Sequence, residues 1–287
     1  MKIMLIGSSG QLSFDLMKVF KDDELIALTH QDLDVTNRDY FIGYAVALKP
    51  DVIINTAAFH KVDVCEDERQ LTFEVNCFGA ANGALAAEKA GAKYVFYSTD
   101  YVFGADTQRN SPYIETDFPG PVSVYGNSKL AGEIAVRNLY AKHFVIRSTG
   151  LYGLKVSGKG YNFPGLMMKL ASERDELKVV NDQRLTPTFT KDIAEKTAEL
   201  IKTDSYGLYH MTGAGDCTWY EFTKKIFDIK GIKTKLTPVT SDEFPTKAKR
   251  PGYSVLDNKA LRDAGLSDMR PWDEALQEYL FLLEMAS

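Results

Sequence analysis

The apolar run Lys2-Ile3-Met4-Leu5-Ile6 stops at Gly7-Ser8-Ser9-Gly10, and a helix-periodic stretch begins at once with Gln11. Few arrangements satisfy a buried strand that meets a glycine-spaced turn and passes straight into a helix. Further short apolar runs follow at Glu24–Leu28, Val52–Asn55, Lys93–Ser98 and Phe144–Arg147. Between them, Gln11–Phe20, Arg38–Leu48, Glu74–Ala90 and Ser123–Tyr140 carry the 3.6-residue period of helices. Strands that alternate with helices predict an α/β fold, a Rossmann-type doubly wound parallel sheet. The later sequence is rich in turns at Gly153–Gly160, Thr212–Asp216 and Pro238–Tyr253, with helices expected near Phe163–Ser172, Lys191–Lys202 and Trp219–Ile229. That pattern suits a smaller, discontinuous α/β substrate lobe. Val179-Val180 reads as one more strand returning to the large sheet. The expected division is therefore 1–152 plus about 176–205 for nucleotide binding, and about 153–175 plus 206–287 for substrate.

The placement of Gly7 and Gly10 between strand and helix is what a dinucleotide fingerprint needs. Gly7 permits the tight turn, Gly10 lets the backbone approach a pyrophosphate, and the first helical N–H groups of Gln11, Leu12 and Ser13 face the negative charge. Ser13 stands where a third glycine is usual, and is small enough for close packing. A glycine-rich turn without ligand is the competing reading. Strand two ends in Thr29-His30-Gln31, where a carboxylate would grip ribose hydroxyls and repel a 2′-phosphate. Its absence leans towards NADPH over NADH; His30 is otherwise an exposed loop residue. Asp34-Val35 is placed to meet an adenine edge. Ala57, Ala58 and Phe59 follow strand three, where small residues let a cofactor pass or simply make a crowded turn.

Tyr125 and Lys129 lie four apart on a predicted helix, so they share a face. An ammonium beside the phenol is expected to lower the Tyr125 pKa and fit it for general acid catalysis. Lys129 also has the reach to hold ribose hydroxyls. Ser98-Thr99-Asp100 ends a strand upstream, and the Thr99 hydroxyl can bind a substrate oxygen.

Taken together, Gly-Ser-Ser-Gly-Gln-Leu at 7–12, Asn-Thr-Ala-Ala-Phe-His-Lys-Val-Asp at 55–63, Glu-Val-Asn at 74–76 and Ser-Thr-Asp-Tyr-Val-Phe-Gly at 98–104 form one part of a wider pattern. Pro-Tyr-Ile-Glu-Thr-Asp at 112–117, Val-Tyr-Gly-Asn-Ser-Lys-Leu-Ala-Gly-Glu at 124–133, Asn162-Phe163, Asp182-Gln183, Pro187-Thr188, Trp219-Tyr220-Glu221-Phe222 and Ala248-Lys249-Arg250-Pro251 complete it. Nearly end to end, the chain resembles the dTDP-4-dehydrorhamnose reductases of the extended short-chain dehydrogenase/reductase family. The resemblance implies Thr99, Tyr125 and Lys129 as the catalytic set, NADPH or NADH as reductant, and a dTDP-linked 4-keto-6-deoxy sugar as substrate. It also places Tyr101, Asn162 and Arg250 near that substrate. Tyr101 replaces the acidic residue that related 4,6-dehydratases carry, which favours ketone reduction over elimination. Arg250, with Lys247 and Lys249, suits a pyrophosphate clamp, or belongs to a solvated surface. Asn162 donates to a phosphate or caps the next helix.

The chain departs from the family pattern at Gly150, where tryptophan is usual, so another nucleotide sugar is a second reading. A silent NADP-binding regulatory subunit, like that of methionine adenosyltransferase, is a third. With a net charge of -5 and no basic block, nucleic acid is not an expected partner. Cys65, Cys77 and Cys217 show no zinc or disulfide spacing, and no histidine set has metal-ligand spacing, so no metal is expected. No apolar stretch nears the roughly 18 residues of a membrane span, and a cytoplasmic location follows. A homodimer stays open.

Overall fold

The structure is a computed structural model and describes residues 1–156 and 160–285. The chain begins with β1 (Lys2–Ile6), α1 (Gln11–Val19), β2 (Glu24–Leu28), α2 (Arg38–Leu48) and β3 (Val52–Asn55). Two short helices, α3 (Val62–Cys65) and α4 (Arg69–Phe73), lead through a π-helical turn at Glu74–Phe78 into α5 (Gly79–Ala90). Next come β4 (Lys93–Thr99), α6 (Val124–Leu139), β5 (His143–Ser148) and β6 (Leu151–Tyr152). The later chain carries α7 (Phe163–Glu173), β7 (Glu176–Val180), β8 (Arg184–Leu185), β9 (Thr188–Phe189) and α8 (Thr190–Leu200). It ends with β10 (Gly207–His210), β11 (Cys217–Thr218), α9 (Trp219–Lys230), β12 (Lys235–Val239), α10 (Lys259–Asp263) and α11 (Trp272–Met285).

Six parallel strands form the large sheet in the order β10-β5-β4-β3-β1-β2. Its central strands are apolar throughout because both faces are covered. Ile3, Leu5, Val95 and Ile146 pack on one face with Leu16 of α1 and Ile193 of α8. Met4, Ile53, Phe96 and Val145 pack on the other with Phe41 of α2 and Ala84 of α5. This is the doubly wound Rossmann-type arrangement. It reverses direction between β1 and β3, so a crevice opens at the carboxyl ends of those strands.

The small lobe has its own core, where Phe222 and Ile226 of α9 meet Tyr152, Phe189 and Tyr279. α9 starts in a full capping box: Thr218 accepts from the Glu221 amide and Glu221 accepts from the Thr218 amide. An ion-pair network joins the lobes. Lys191 and Asp192 at the start of α8 pair with Glu278 of α11 and with Arg270, and Arg270 also reaches Glu278.

Strand pairing departs from the expected lobe boundaries. β7, including Val179-Val180, pairs with β12 in the small lobe and not with the large sheet. Conversely, β10 joins the large sheet beside β5, although 206–287 reads as substrate lobe. An apolar pair such as Val179-Val180 fits either sheet, and the partner of so short a strand is set by the loops around it as well as by its own alternation. The expected turn at Gly153–Gly160 lies partly outside the described residues.

Candidate active site

The crevice is built from backbone turns first. Gly7 has φ +79°, and a Cβ there would stand 2.7 Å from Thr56 Oγ1, so conformation and space both require glycine. Ser13 is fully buried; its hydroxyl donates to the Gly7 carbonyl at 2.9 Å and meets Thr56 Oγ1 at 2.8 Å. The residue that replaces the usual third glycine therefore pins the turn to β3, and what it offers a ligand is its backbone. α1 starts at Gly10 with no side-chain cap and no acidic residue in its first turn, which leaves its N-terminus open to an anion. Gln11 Nε2 is buried without a hydrogen-bond partner among the described residues. An unpaired donor beside an uncapped helix start fits a dinucleotide pyrophosphate. Leu12 points instead into the core.

His30 is exposed after β2. Asp32 folds back to accept from the amide and hydroxyl of Thr29, and Asp34 accepts from both groups of Thr36. Val35 is buried, and its carbonyl is taken by Asn82. After β3, two asparagines hold the loop. Asn55 accepts from the Ala57 amide, and Asn76 binds both the amide and the carbonyl of Phe59. Asn76 also donates to Ser128, which sits between Tyr125 and Lys129. Ala57, Ala58 and Phe59 are thus fixed opposite the glycine turn, each half-buried.

Thr99 closes β4, and Tyr125 and Lys129 rise from α6, whose first turn is capped by Ser123. The Thr99 hydroxyl donates to Asp100 at 3.1 Å, accepts from the Tyr101 amide at 3.2 Å and interacts with the Tyr125 phenol. Lys129 is 2% exposed, its Nζ 4.1 Å from the Phe96 ring centroid. Burial dominates both groups: it raises the Tyr125 phenol well above its usual value and pushes Lys129 down to about 7. The lowering of Tyr125 that its lysine spacing predicts is outweighed by burial, which sets the direction of the shift. Burial likewise lifts Asp100 to about 6; its other oxygen accepts from Ser254 of the small lobe at 2.6 Å.

Tyr101 packs edge-on to Tyr125, with ring centroids 5.8 Å apart, and interacts with Arg250. Arg250 in turn pairs with Asp63 at 3.0 Å. Asn162 is buried, accepts from the Gly165 amide at 2.9 Å, and donates to the Gly153 carbonyl and to Tyr279. Of its two expected roles the structure shows the helix cap, which leaves its amide committed within the protein. Gly150 lies at φ +56°, and a Cβ there would stand 2.9 Å from Leu185 and 3.1 Å from Pro187 Cα. A side chain at this position would be strained by the backbone conformation and would press on Leu185 and Pro187.

Sequence reading left Asn76, Asp63 and Ser254 without roles, since each acts on a residue far along the chain. The signal available for Asn76 was a polar residue amid a helix's buried positions. Among the described residues, no group of His, Cys, Asp and Glu is arranged to hold a metal ion, and no helix is long and apolar enough to cross a membrane.

A glycine turn with an uncapped helix start after β1, and Thr99, Tyr125 and Lys129 at the end of β4 and on α6, at the carboxyl ends of the strands of a doubly wound sheet, fit the scaffold of nucleotide-dependent short-chain oxidoreductases. The chain belongs to the RmlD substrate binding domain family, which it matches over residues 1–285. It is 39% identical to the spore coat polysaccharide biosynthesis protein SpsK of Bacillus subtilis, covering 97% of this chain and 96% of that one. The crystal structure of a dTDP-4-dehydrorhamnose reductase from Clostridium acetobutylicum superposes with a TM-score of 0.94 at 42% identity, over 99% of this chain and 100% of that one. The dTDP-4-dehydrorhamnose reductase of Bacillus anthracis, solved in complex with NADP, gives 0.92 at 38% identity, over 97% and 98%.

Proposed function

We propose that the chain reduces the C4 ketone of a nucleotide-linked 4-keto-6-deoxy sugar, dTDP-4-dehydro-L-rhamnose being the substrate its relatives indicate. It is an oxidoreductase that uses NADPH or NADH. The observation that carries the reading is the meeting of Thr99, at the end of β4, with Tyr125 and Lys129 of α6, across from the Gly7–Gly10 turn. When bound, the nicotinamide supplies the hydride.

The protein's part is to orient the ketone and supply a proton. Thr99 and Tyr125 aim two hydroxyls at the substrate oxygen, which fixes the carbonyl and stabilises the charge that grows on it. A phenol with a raised pKa stays protonated at neutral pH, as a proton donor must, and Tyr125 releases its proton to the new alkoxide. Lys129 lies one turn away, where its ammonium eases that release and binds ribose hydroxyls. Tyr101 buttresses the Tyr125 ring, and Arg250, oriented by Asp63, faces the diphosphate. Gly7, Gly10, Gln11 and the amides of Leu12 and Ser13 hold the pyrophosphate of the dinucleotide, with Ala57, Ala58 and Phe59 beside its nicotinamide half. His30 and Asp34 flank its adenosine half. The missing carboxylate directly after β2 supports NADPH as the preferred form. The sheet with α8 and β10 forms the nucleotide lobe, and the segments carrying α7, α9 and α11 form the substrate lobe. A homodimer fits the exposed Phe78, Ile134 and Leu139 on and beside neighbouring helices α5 and α6, and a cytoplasmic site of action goes with the reduction of a nucleotide-linked sugar. An intact Thr-Tyr-Lys set argues against a silent regulatory subunit.

The test is loss of absorbance at 340 nm when purified protein, NADPH and dTDP-4-dehydro-L-rhamnose are mixed. Turnover is expected, with Tyr125→Phe lowering kcat by about 100-fold or more. No oxidation, or full activity in Tyr125→Phe, would sink the reading. Gly150 supports a second reading, a different nucleotide-linked 4-keto sugar, and the same assay over a panel of such sugars separates the two.

A further inference from the structure

Beneath the reacting end of the sheet lies a polar cluster for which the reaction above has no use. Glu133 sits on α6 one turn beyond Lys129 and two beyond Tyr125, so the three share a face. It is fully buried, and Arg147 of β5 is 2% exposed. The guanidinium grips the carboxylate with both arms, Nε to Oε1 at 2.9 Å and Nη2 to Oε2 at 2.7 Å. Ser98, the residue before Thr99, donates to Oε1 at 2.5 Å. Arg147 Nη1 also meets His210 Nε2 at 3.4 Å, and the guanidinium carbon lies 5.1 Å from the Phe103 ring centroid.

A buried ion pair seldom adds stability over an apolar pair of the same volume, so its place one turn below a desolvated lysine calls for another reason. We propose that Glu133, clamped by Arg147, is a positioning residue: it ties the Ser98–Thr99 strand end to the helix that carries Tyr125 and Lys129, and supplies the negative charge that Lys129 faces. This rests on the reading of Lys129 given above. Glu133 faces the ammonium from its own helix, on which Tyr125 lies one turn before, and Phe96 from β4. Asp100 follows β4, Cys65 approaches Tyr125 from α3, and Arg147 and His210 stand behind Glu133 from β5 and β10. Burial drives the lysine towards the neutral amine and Glu133 opposes it. Neutralising Glu133 therefore moves the Lys129 titration to lower pH.

The experiment labels lysine Cε with carbon-13, assigns the Lys129 signal by its loss in Lys129→Met, and follows it against pH by NMR in the cofactor-free protein. In Glu133→Gln the midpoint is expected to fall by about half a pH unit or more, and the alkaline limb of kcat/KM to fall with it. Glu133→Gln strands a buried guanidinium, so Glu133→Met/Arg147→Met, which removes both charges, is measured beside it and is expected to show a smaller downward shift, since Glu133 is the charge that acts on the ammonium and Arg147 stands behind it. A lowered melting temperature with an unmoved Lys129 midpoint in either variant means that the pair is structural only, and overturns the proposal. If the wild type fails to oxidise NADPH while the midpoint shifts as expected, the assigned reaction fails and the role of Glu133 stands.

Discussion

Lys129 shows how function is placed against stability at a single residue. Its ammonium is ordinarily protonated to pH 10.5, yet in the folded chain burial brings it down to about 7. Between those values the unfolded chain holds a proton that the folded chain does not, so stability rises with pH across the window. Below it the cost of burying the charge is fully present. Lys129→Met removes that cost, and its melting temperature at pH 7 is expected to exceed the wild type's by a few degrees, at roughly 2–4 °C per kcal/mol. The gain should shrink towards pH 10.5, and activity should be lost. Calorimetry across that range checks it, and a variant less stable than wild type at pH 7 would contradict the argument. The Tyr125-Lys129 spacing was legible in the sequence because helical neighbours are local. The direction of the Tyr125 shift was not, because its surroundings include Tyr101, Cys65 and other residues distant in the chain.

Among the elements, the start of α7 separates two roles that one asparagine can fill. Asn162 caps the helix through the Gly165 amide and also binds Gly153 and Tyr279. Asn162→Ala should cost about 1–3 kcal/mol of stability and leave KM for the sugar within about twofold. Denaturant melts and steady-state kinetics decide, and a tenfold rise in KM without loss of stability would favour substrate contact. The glycine turn between β1 and α1 was readable because its geometry is local: Gly7 needs a left-handed backbone and Gly10 starts the helix. The partner of β7 was not. Glu176–Val180 alternates exposed and buried residues, which suits an outer pairing with β12, whereas the central strands are buried at nearly every position. That alternation was the clue available in the sequence.

At the scale of the molecule, the lobes meet over buried groups whose titration couples to folding. His210 of β10 lies against Arg147, accepts no exposure, and is pushed by burial down to about 3. Below pH 6.5 the unfolded chain takes a proton that the folded chain refuses, so stability falls as pH drops from 6.5 towards 3. Asp100, raised to about 6, works the other way between 6 and 3.8, where the two offset each other, so the histidine's part is read from the difference between variant and wild type. Melting temperatures from pH 7 to 4.5 should fall less steeply in His210→Asn than in the wild type, and parallel slopes would rule out the histidine as the cause. The sequence by itself determined the alternation of strands and helices, the glycine turn between β1 and α1 and the spacing of Tyr125 and Lys129 on one helix, since each depends on periodicity or on residues within a few positions. Only the tertiary structure decided that β10 and not β7 completes the large sheet, that Asn162 caps a helix, that Gly150 takes a left-handed backbone pressed against Leu185 and Pro187, and that Glu133 and Arg147 meet beneath the site. Those outcomes rest on contacts between distant segments, where packing space, desolvation and hydrogen-bond partners are fixed by the fold as a whole.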